Sequence, residues 1–156
     1  MSSYTVTIPI TPKPKGVWSL GKYGTYNPSA RGQKQTLEHV KKQLGDISSL
    51  KGPLLVIVHY QLPAPQSLSM GKRKKLHLLP HPKRPDGDNL EKFLNDALNG
   101  YLWEDDARIA FLFRTKTYTY KPEGRTTLFV RELPFEVPDY QQILSDITQH
   151  LEPHDY

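Results

Sequence analysis

Tyr4, Val6, Ile8 and Ile10 alternate with Thr5 and Thr7. A period of two predicts a half-buried strand, and it ends in the proline-rich "PITPKPKG". Val17 to Asn27, rich in Gly, Tyr and Lys, predicts a loop. Ala30, Leu37, Val40 and Leu44 then fall at helical spacing, with Asn27 as cap, Pro28 at the first position and Gly45 as the stop. "GPLLVIVHYQL" is a continuous apolar run, the pattern of a strand covered on both faces. The 23 residues from Pro63 to Pro85 carry five prolines and six cations and predict a long loop. Leu90, Phe93, Leu94, Ala97 and Leu98 mark one face of a helix from Asn89 to Asn99, stopped by Gly100.

"ARIAFLFRTKTYTYKPEGRTTLFVREL" predicts a β-hairpin turning at Lys121-Pro122-Glu123-Gly124. Ile109, Phe111 and Phe113 share one face, and Arg108, Ala110, Leu112, Arg114, Lys116, Tyr118 and Tyr120 share the other. Beyond the Leu133-Pro134 break, Tyr140, Ile143, Leu144, Ile147 and Leu151 are spaced for a last helix. The order β-α-β-loop-α-β-β-α predicts an α/β (α+β) fold, a small mixed sheet packed with helices. The 156 residues fit one domain. Its body is residues 1–133, with the basic loop at 63–85, and residues 134–156 form an acidic helical extension of it.

Composition narrows the function. With 37% hydrophobic and 24% charged residues the chain suits a globular protein. Leu54–Val58, its longest aliphatic run, is far too short to span a bilayer. "MSSYTVTIPI" lacks the basic start and apolar stretch of a secretory signal, which predicts a cytoplasmic protein. The absence of cysteine excludes disulfides, zinc-thiolate sites and cysteine nucleophiles. The net charge of +5 is unevenly spread. Residues 1–37 hold five cations and no acid, residues 72–84 hold six and no acid, and residues 138–156 hold four acids and no Lys or Arg. Such basic blocks neutralise phosphates, so Lys72, Arg73, Lys74, Lys75, Lys83 and Arg84, with Arg114 and Lys116 on the strand, are candidate DNA contacts. A merely solvated basic surface has the same composition.

The acids are more specific. Asp88, with Glu91 three residues on, matches a helix-capping arrangement, but a cap needs one aspartate. Asp86 lies across Gly87 from it, and two carboxylates so placed repel each other unless a proton or cation lies between them. Glu104-Asp105-Asp106 supplies three further acids. A helix from Asn89 to Asn99 rises about 16 Å, and the seven steps back to Asp106 extend over about 23 Å, so the chain can return an acid to Asp88. Carboxylates from both places make a hard-oxygen site of the kind Mg²⁺ takes. Lys92 lies in the first helical turn, where the macrodipole disfavours a cation. It either pairs with Asp88 on the surface or faces the metal. Carboxylates, lysine and basic surfaces together suit phosphodiester hydrolysis.

Other features carry less. His77 and His81 lack the partners of a zinc site. Trp18 and Trp103 read as core or interface residues, Trp103 filling the turn after the helix. Tyr118 and Tyr120 read as a paired strand face rather than a base-stacking surface. No glycine loop of the nucleotide-binding kind is present.

The stretch "DGDNLEKFLNDALNGYLWEDDARIAFLFRTK", Asp86 to Lys116, resembles the RusA family of Holliday junction resolvases in its D-x-D-N-L-x-K motif, Ala-Leu helix, aromatic residue beside an Asp pair, and basic strand. More loosely the likeness spans Tyr4 to Leu133. It implies a small RusA-like α/β fold and a homodimer that nicks opposed strands of four-way DNA junctions. It implies Mg²⁺, with Mn²⁺ as a substitute, held by Asp86, Asp88 and Asp106, and Lys92 as the catalytic lysine; Asp105 is the weaker member of its pair. No organic cofactor and no membrane partner are implied. The proline-rich basic loop, the C-terminal segment and "PKPKGVW", which lacks the Asn often found there, depart from the family pattern. The other readings are a non-catalytic DNA-binding protein and a metal nuclease for other branched or single-stranded nucleic acids.

Overall fold

A computed structural model describes residues 2–151 of the chain. Four strands, β1 (Ser3–Ile8), β4 (Leu54–Pro63), β5 (Ile109–Thr119) and β6 (Arg125–Glu132), form a mixed sheet in the order β1-β6-β4-β5. Two short strands, β2 (Ser19–Gly21) and β3 (Gly24–Tyr26), pair only with each other. The helices are α1 (Ala30–Leu44), α2 (Met70–Leu76), α3 (Gly87–Leu98) and α4 (Tyr140–Leu151). The mixed α/β architecture expected from the sequence is present. Among the described residues no helix is long and apolar enough to cross a membrane.

β4 fixes the arrangement. Leu54 to Leu62 are buried without interruption, as the apolar run predicts. Alternate residues serve opposite layers. Leu54, Val56, Val58 and Tyr60 join Val40, Leu90, Leu94 and Leu98 beneath α1 and α3, while Leu55 and Ile57 join Phe129, Ile143 and Ile147 beneath α4. A strand covered on both faces can satisfy its backbone only through neighbours on both edges. β5 pairs with it in parallel and β6 antiparallel.

That pairing overturns the expected hairpin. The segments on either side of the Pro122–Gly124 turn never pair with each other, because β4 lies between them and the turn carries the chain across its C-terminal end. Gly124 passes so close there that a Cβ would come within 2.0 Å of the Gln61 carbonyl oxygen. Alternation specifies a strand with two unlike faces but not which strand it pairs with.

Other boundaries also move. α1 begins at Ala30, because Asn27 turns back on itself: its Oδ1 accepts from the Ser29 amide at 2.9 Å, leaving Ser29 at the cap position. Ala30 is exposed, and Gly45 ends the helix at φ 67° as expected. The Val17–Asn27 loop contains the β2–β3 hairpin, and Trp18 is exposed, so it is no core residue. The supposed loop at 63–85 holds α2, started by Ser69, whose hydroxyl accepts from the Lys72 amide. Residues 77–81 then run along the outer edge of β5, with Leu78, His81 and Tyr118 amides donating across at 2.9, 2.9 and 3.0 Å. α4 buries Ile143 and Ile147 but leaves Tyr140 and Leu144 exposed. Residues 152–156, the end of the expected extension, lie outside the described residues.

Candidate active site

α3 starts two residues earlier than its apolar pattern predicts. Asp86 occupies the N-cap position with extended backbone, and its side chain makes no capping hydrogen bond. Asp88 therefore stands inside the first turn and caps nothing. Glu91 does not complete a capping box; its carboxylate accepts from Arg114 Nη1 with Oε1 at 3.0 Å and Oε2 at 3.2 Å. Two carboxylates that make no capping hydrogen bond thus flank Gly87 at the positive end of a helix dipole, which favours their charge.

β5 holds that helix end in place. Lys116 Nζ donates to the carbonyls of Lys83 at 2.6 Å and Pro85 at 2.8 Å, anchoring the residues that lead into Asp86. One pleat away, Arg114 lies flat against Gly87; a Cβ there would come within 2.3 Å of its guanidinium carbon. The glycine between the two aspartates thus makes room for Arg114. Burial raises the Glu91 pKa above its ordinary value, Arg114 opposes the rise, and Asp88 adds to it. Burial likewise pushes His81 below the usual histidine range, helped by Lys116, so it is neutral at neutral pH.

Lys92 Nζ stands 3.6 Å from Asp88 Oδ2, one turn along the same exposed face. The chain returns to this face as the sequence allows, but meets it farther on. Asp106 Oδ2 accepts from Asn95 Nδ2 at 3.3 Å and Asp106 Oδ1 from Asn99 Nδ2 at 3.4 Å. Asn95 is seven residues beyond Asp88, about 10 Å along the axis. Among the described residues no three Asp, Glu, His or Cys side chains gather closely enough to hold a metal ion. Asp105 is used otherwise: its Oδ1 accepts from the Ala107 amide at 2.7 Å and starts the 3₁₀ turn Asp106–Arg108. Asp86, Asp88 and Asp106 carry the hard oxygens that a divalent cation takes, and the Asp86 side chain makes no capping hydrogen bond, but Asp106 stands too far along the helix to close a cluster with the other two.

The candidate DNA contacts divide. Lys72, Lys74, Lys75, Lys83 and Arg84 are exposed, whereas Arg73 is buried and donates to the Tyr120 carbonyl at 2.6 Å. Arg114 and Lys116 are engaged with Glu91 and with the 83–85 carbonyls. His77 packs edge-on against Tyr120 and His81 tilts against Tyr118, securing the basic segment to β5. Trp103 is fully buried after α3, as expected, and its Nε1 donates to Asn99 Oδ1 at 2.6 Å. Asn95 and Asn99 were not singled out by the sequence reading. Their signal is the polar face 88, 92, 95, 99, opposite the leucines.

These positions bear on what the chain is related to. The model of the family described as "Endodeoxyribonuclease RusA" matches residues 8–131. A Bacillus subtilis (strain 168) protein, "Uncharacterized protein YqaN", is 31% identical over 126 residues, which cover 78% of this chain and 87% of that protein. The family match spans β2 to β5 and nearly all of β6, the α3 acids and the Asp105-Asp106 pair alike, and the chain belongs to the RusA family of endodeoxyribonucleases.

Proposed function

We propose that this endonuclease resolves four-way DNA junctions in the cytoplasm by Mg²⁺-dependent hydrolysis of two opposed phosphodiesters, acting as a homodimer. The observation that carries the reading is the pair Asp86 and Asp88. They flank Gly87, the Asp86 side chain makes no capping hydrogen bond, Lys92 lies one turn on, and Asp106 meets the same face farther along. Asp86, Asp88 and Asp106 are the residues that would hold the cation, with Mn²⁺ as a substitute. A bound Mg²⁺ supplies Lewis-acid activation of a water and neutralisation of phosphate charge.

The chain's own groups do the rest. Lys92 presents an ammonium to the charge that builds on the phosphate or on the leaving oxygen. Arg114 and Lys116 fix the helix end, so the carboxylates meet the substrate already oriented. Lys72, Lys74, Lys75, Lys83 and Arg84 provide an exposed cationic approach for the DNA backbone, continuous in sequence with Asp86. Two symmetric nicks require two such sites related by a two-fold axis, which supports the dimer.

The test is cleavage of end-labelled substrates in Mg²⁺: a mobile four-way junction, a flap, a single strand, a linear duplex and an RNA hairpin. Paired nicks confined to the junction are expected. Faster cutting of flaps, single strands or RNA moves the enzyme to another substrate, and binding without hydrolysis in Mg²⁺ defeats the catalytic reading.

A further inference from the structure

The β2–β3 hairpin is fastened at its root and open at its tip. At the root, the Gly16 amide donates to Ser29 Oγ at 2.7 Å, and Gly16 lies so close to Pro28 that a Cβ would come within 2.5 Å of its ring. The Lys15 amide donates to the Asn89 carbonyl at 3.0 Å, and Lys15 Nζ pairs with Asp96. The root is therefore held against α3 one residue from Asp88. Towards the tip, Leu20 is 85% exposed and Tyr23 94%, and Trp18, just before β2, is 60% exposed. Lys22 Nζ lies 5.5 Å from the Tyr23 ring centroid.

So many large apolar side chains on one small exposed element indicate a contact surface. Charge selects the partner. Residues 1–37 hold five cations and no acid. A groove of about 570 Å³ at the root is edged by Lys13 and Arg31 and floored by Phe93. Cations set among exposed rings suit a polyanion that also offers flat π-faces. In a paired duplex those faces are stacked away, whereas unpaired or splayed bases offer them.

We propose that the β2–β3 hairpin is a base-stacking arm that takes up unpaired bases of the DNA beside the α3 acids. This rests on the nuclease reading and adds to it a recognition surface whose root is tied to α3 at Asn89.

The experiment is fluorescence anisotropy in EDTA, which prevents cleavage, with two DNA probes: a duplex carrying a run of unpaired thymines and the same duplex fully paired. The Leu20→Ala/Tyr23→Ala variant is expected to lose about tenfold or more on the unpaired probe and about twofold or less on the paired one. Tyr23→Phe is expected to keep the preference, since it keeps the ring. Because these side chains are exposed, circular dichroism and melting are expected to be unchanged. An undiminished preference for unpaired bases overturns the arm, as does an equal loss on both probes. A change in mass by sedimentation also overturns it, by making the hairpin a contact between copies. If the wild type cuts junctions while the preference survives in the variant, only the arm fails. If the wild type neither binds nor cuts branched DNA, the nuclease reading falls with it.

Discussion

Asp106 is oriented by two amides, and one of these is itself held. The Trp103 indole can only donate, so the Asn99 oxygen must face it and the Asn99 Nδ2 must turn towards Asp106. A carboxylate fixed this way presents its free lone pairs in one direction. Groups that orient a metal-binding carboxylate commonly alter metal affinity or activity by about 10- to 100-fold. Asn99→Ala is therefore expected to lower junction cleavage by about that factor and to raise the Mg²⁺ concentration needed for half-maximal rate. Because the fully buried Trp103 Nε1–H loses its acceptor in this variant, stability is expected to fall by about 1–3 kcal/mol. A rate deficit that Mg²⁺ titration leaves in place, with no shift in its midpoint, contradicts this role.

Gly87 is a second residue-scale case. In Gly87→Ala the new methyl displaces the Arg114 guanidinium, and Glu91, nearly buried, loses its donor. Removing a partner from a buried carboxylate costs about 1–3 kcal/mol. Glu91 already has a folded-state pKa above its ordinary 4.5. Stability from such a group is present below the unfolded pKa and is lost as pH rises through the folded one. Losing Arg114 raises that pKa further, so the deficit of the variant is expected to be full at neutral pH and to shrink as pH falls towards 4.5. Denaturant melts of both proteins across that range measure it; a deficit independent of pH rejects the account.

Among the elements, β4 between β5 and β6 is the decisive feature, and the chain must cross its end at Gly124. A side chain there runs into backbone, which cannot swing aside as Arg114 can. Gly124→Ala is expected to cost about 1–3 kcal/mol, lowering the melting temperature by about 2–4 °C for each kcal/mol. No change in melting temperature would mean that the crossing is looser than described. The same crossing marks the limit of what the sequence discloses. The continuous run Leu54–Leu62 announced a doubly covered strand, and the leucine spacing of α3 announced its buried face, because burial patterns are local. Partner choice between strands is not local, and Lys121–Gly124 has the same turn residues whether it closes a hairpin or crosses a neighbour. α2 escaped notice because Met70–Leu76 offers one turn of lysines and little apolar periodicity. The acids stood out in the sequence because a helix start does not need two of them. What was not legible was that Arg114 and Lys116, which read as DNA contacts, are engaged in positioning those acids.

For the molecule as a whole, the three layers separate functions. α4 closes one face of the sheet, and its Asp146 pairs with Arg131 at 2.7 Å. The other face carries α3, whose polar side presents Asp88, Lys92, Asn95 and Asn99, with the basic segment leading into it and the root of the β2–β3 hairpin tied to Asn89. A polyanion approaching that side meets positive charge before it meets carboxylates, which steers it and then leaves its phosphate where a cation can be shared.

If Asp86 serves chemistry, removing its charge abolishes cleavage and leaves the fold intact. The most direct measurement is cleavage of a synthetic mobile four-way junction in Mg²⁺ by wild type and by Asp86→Asn, a substitution that keeps the shape and removes the charge. We expect paired, symmetric nicks from the wild type and none from Asp86→Asn, which should still fold and still bind the junction. Equal cleavage by Asp86→Asn and wild type would contradict the account.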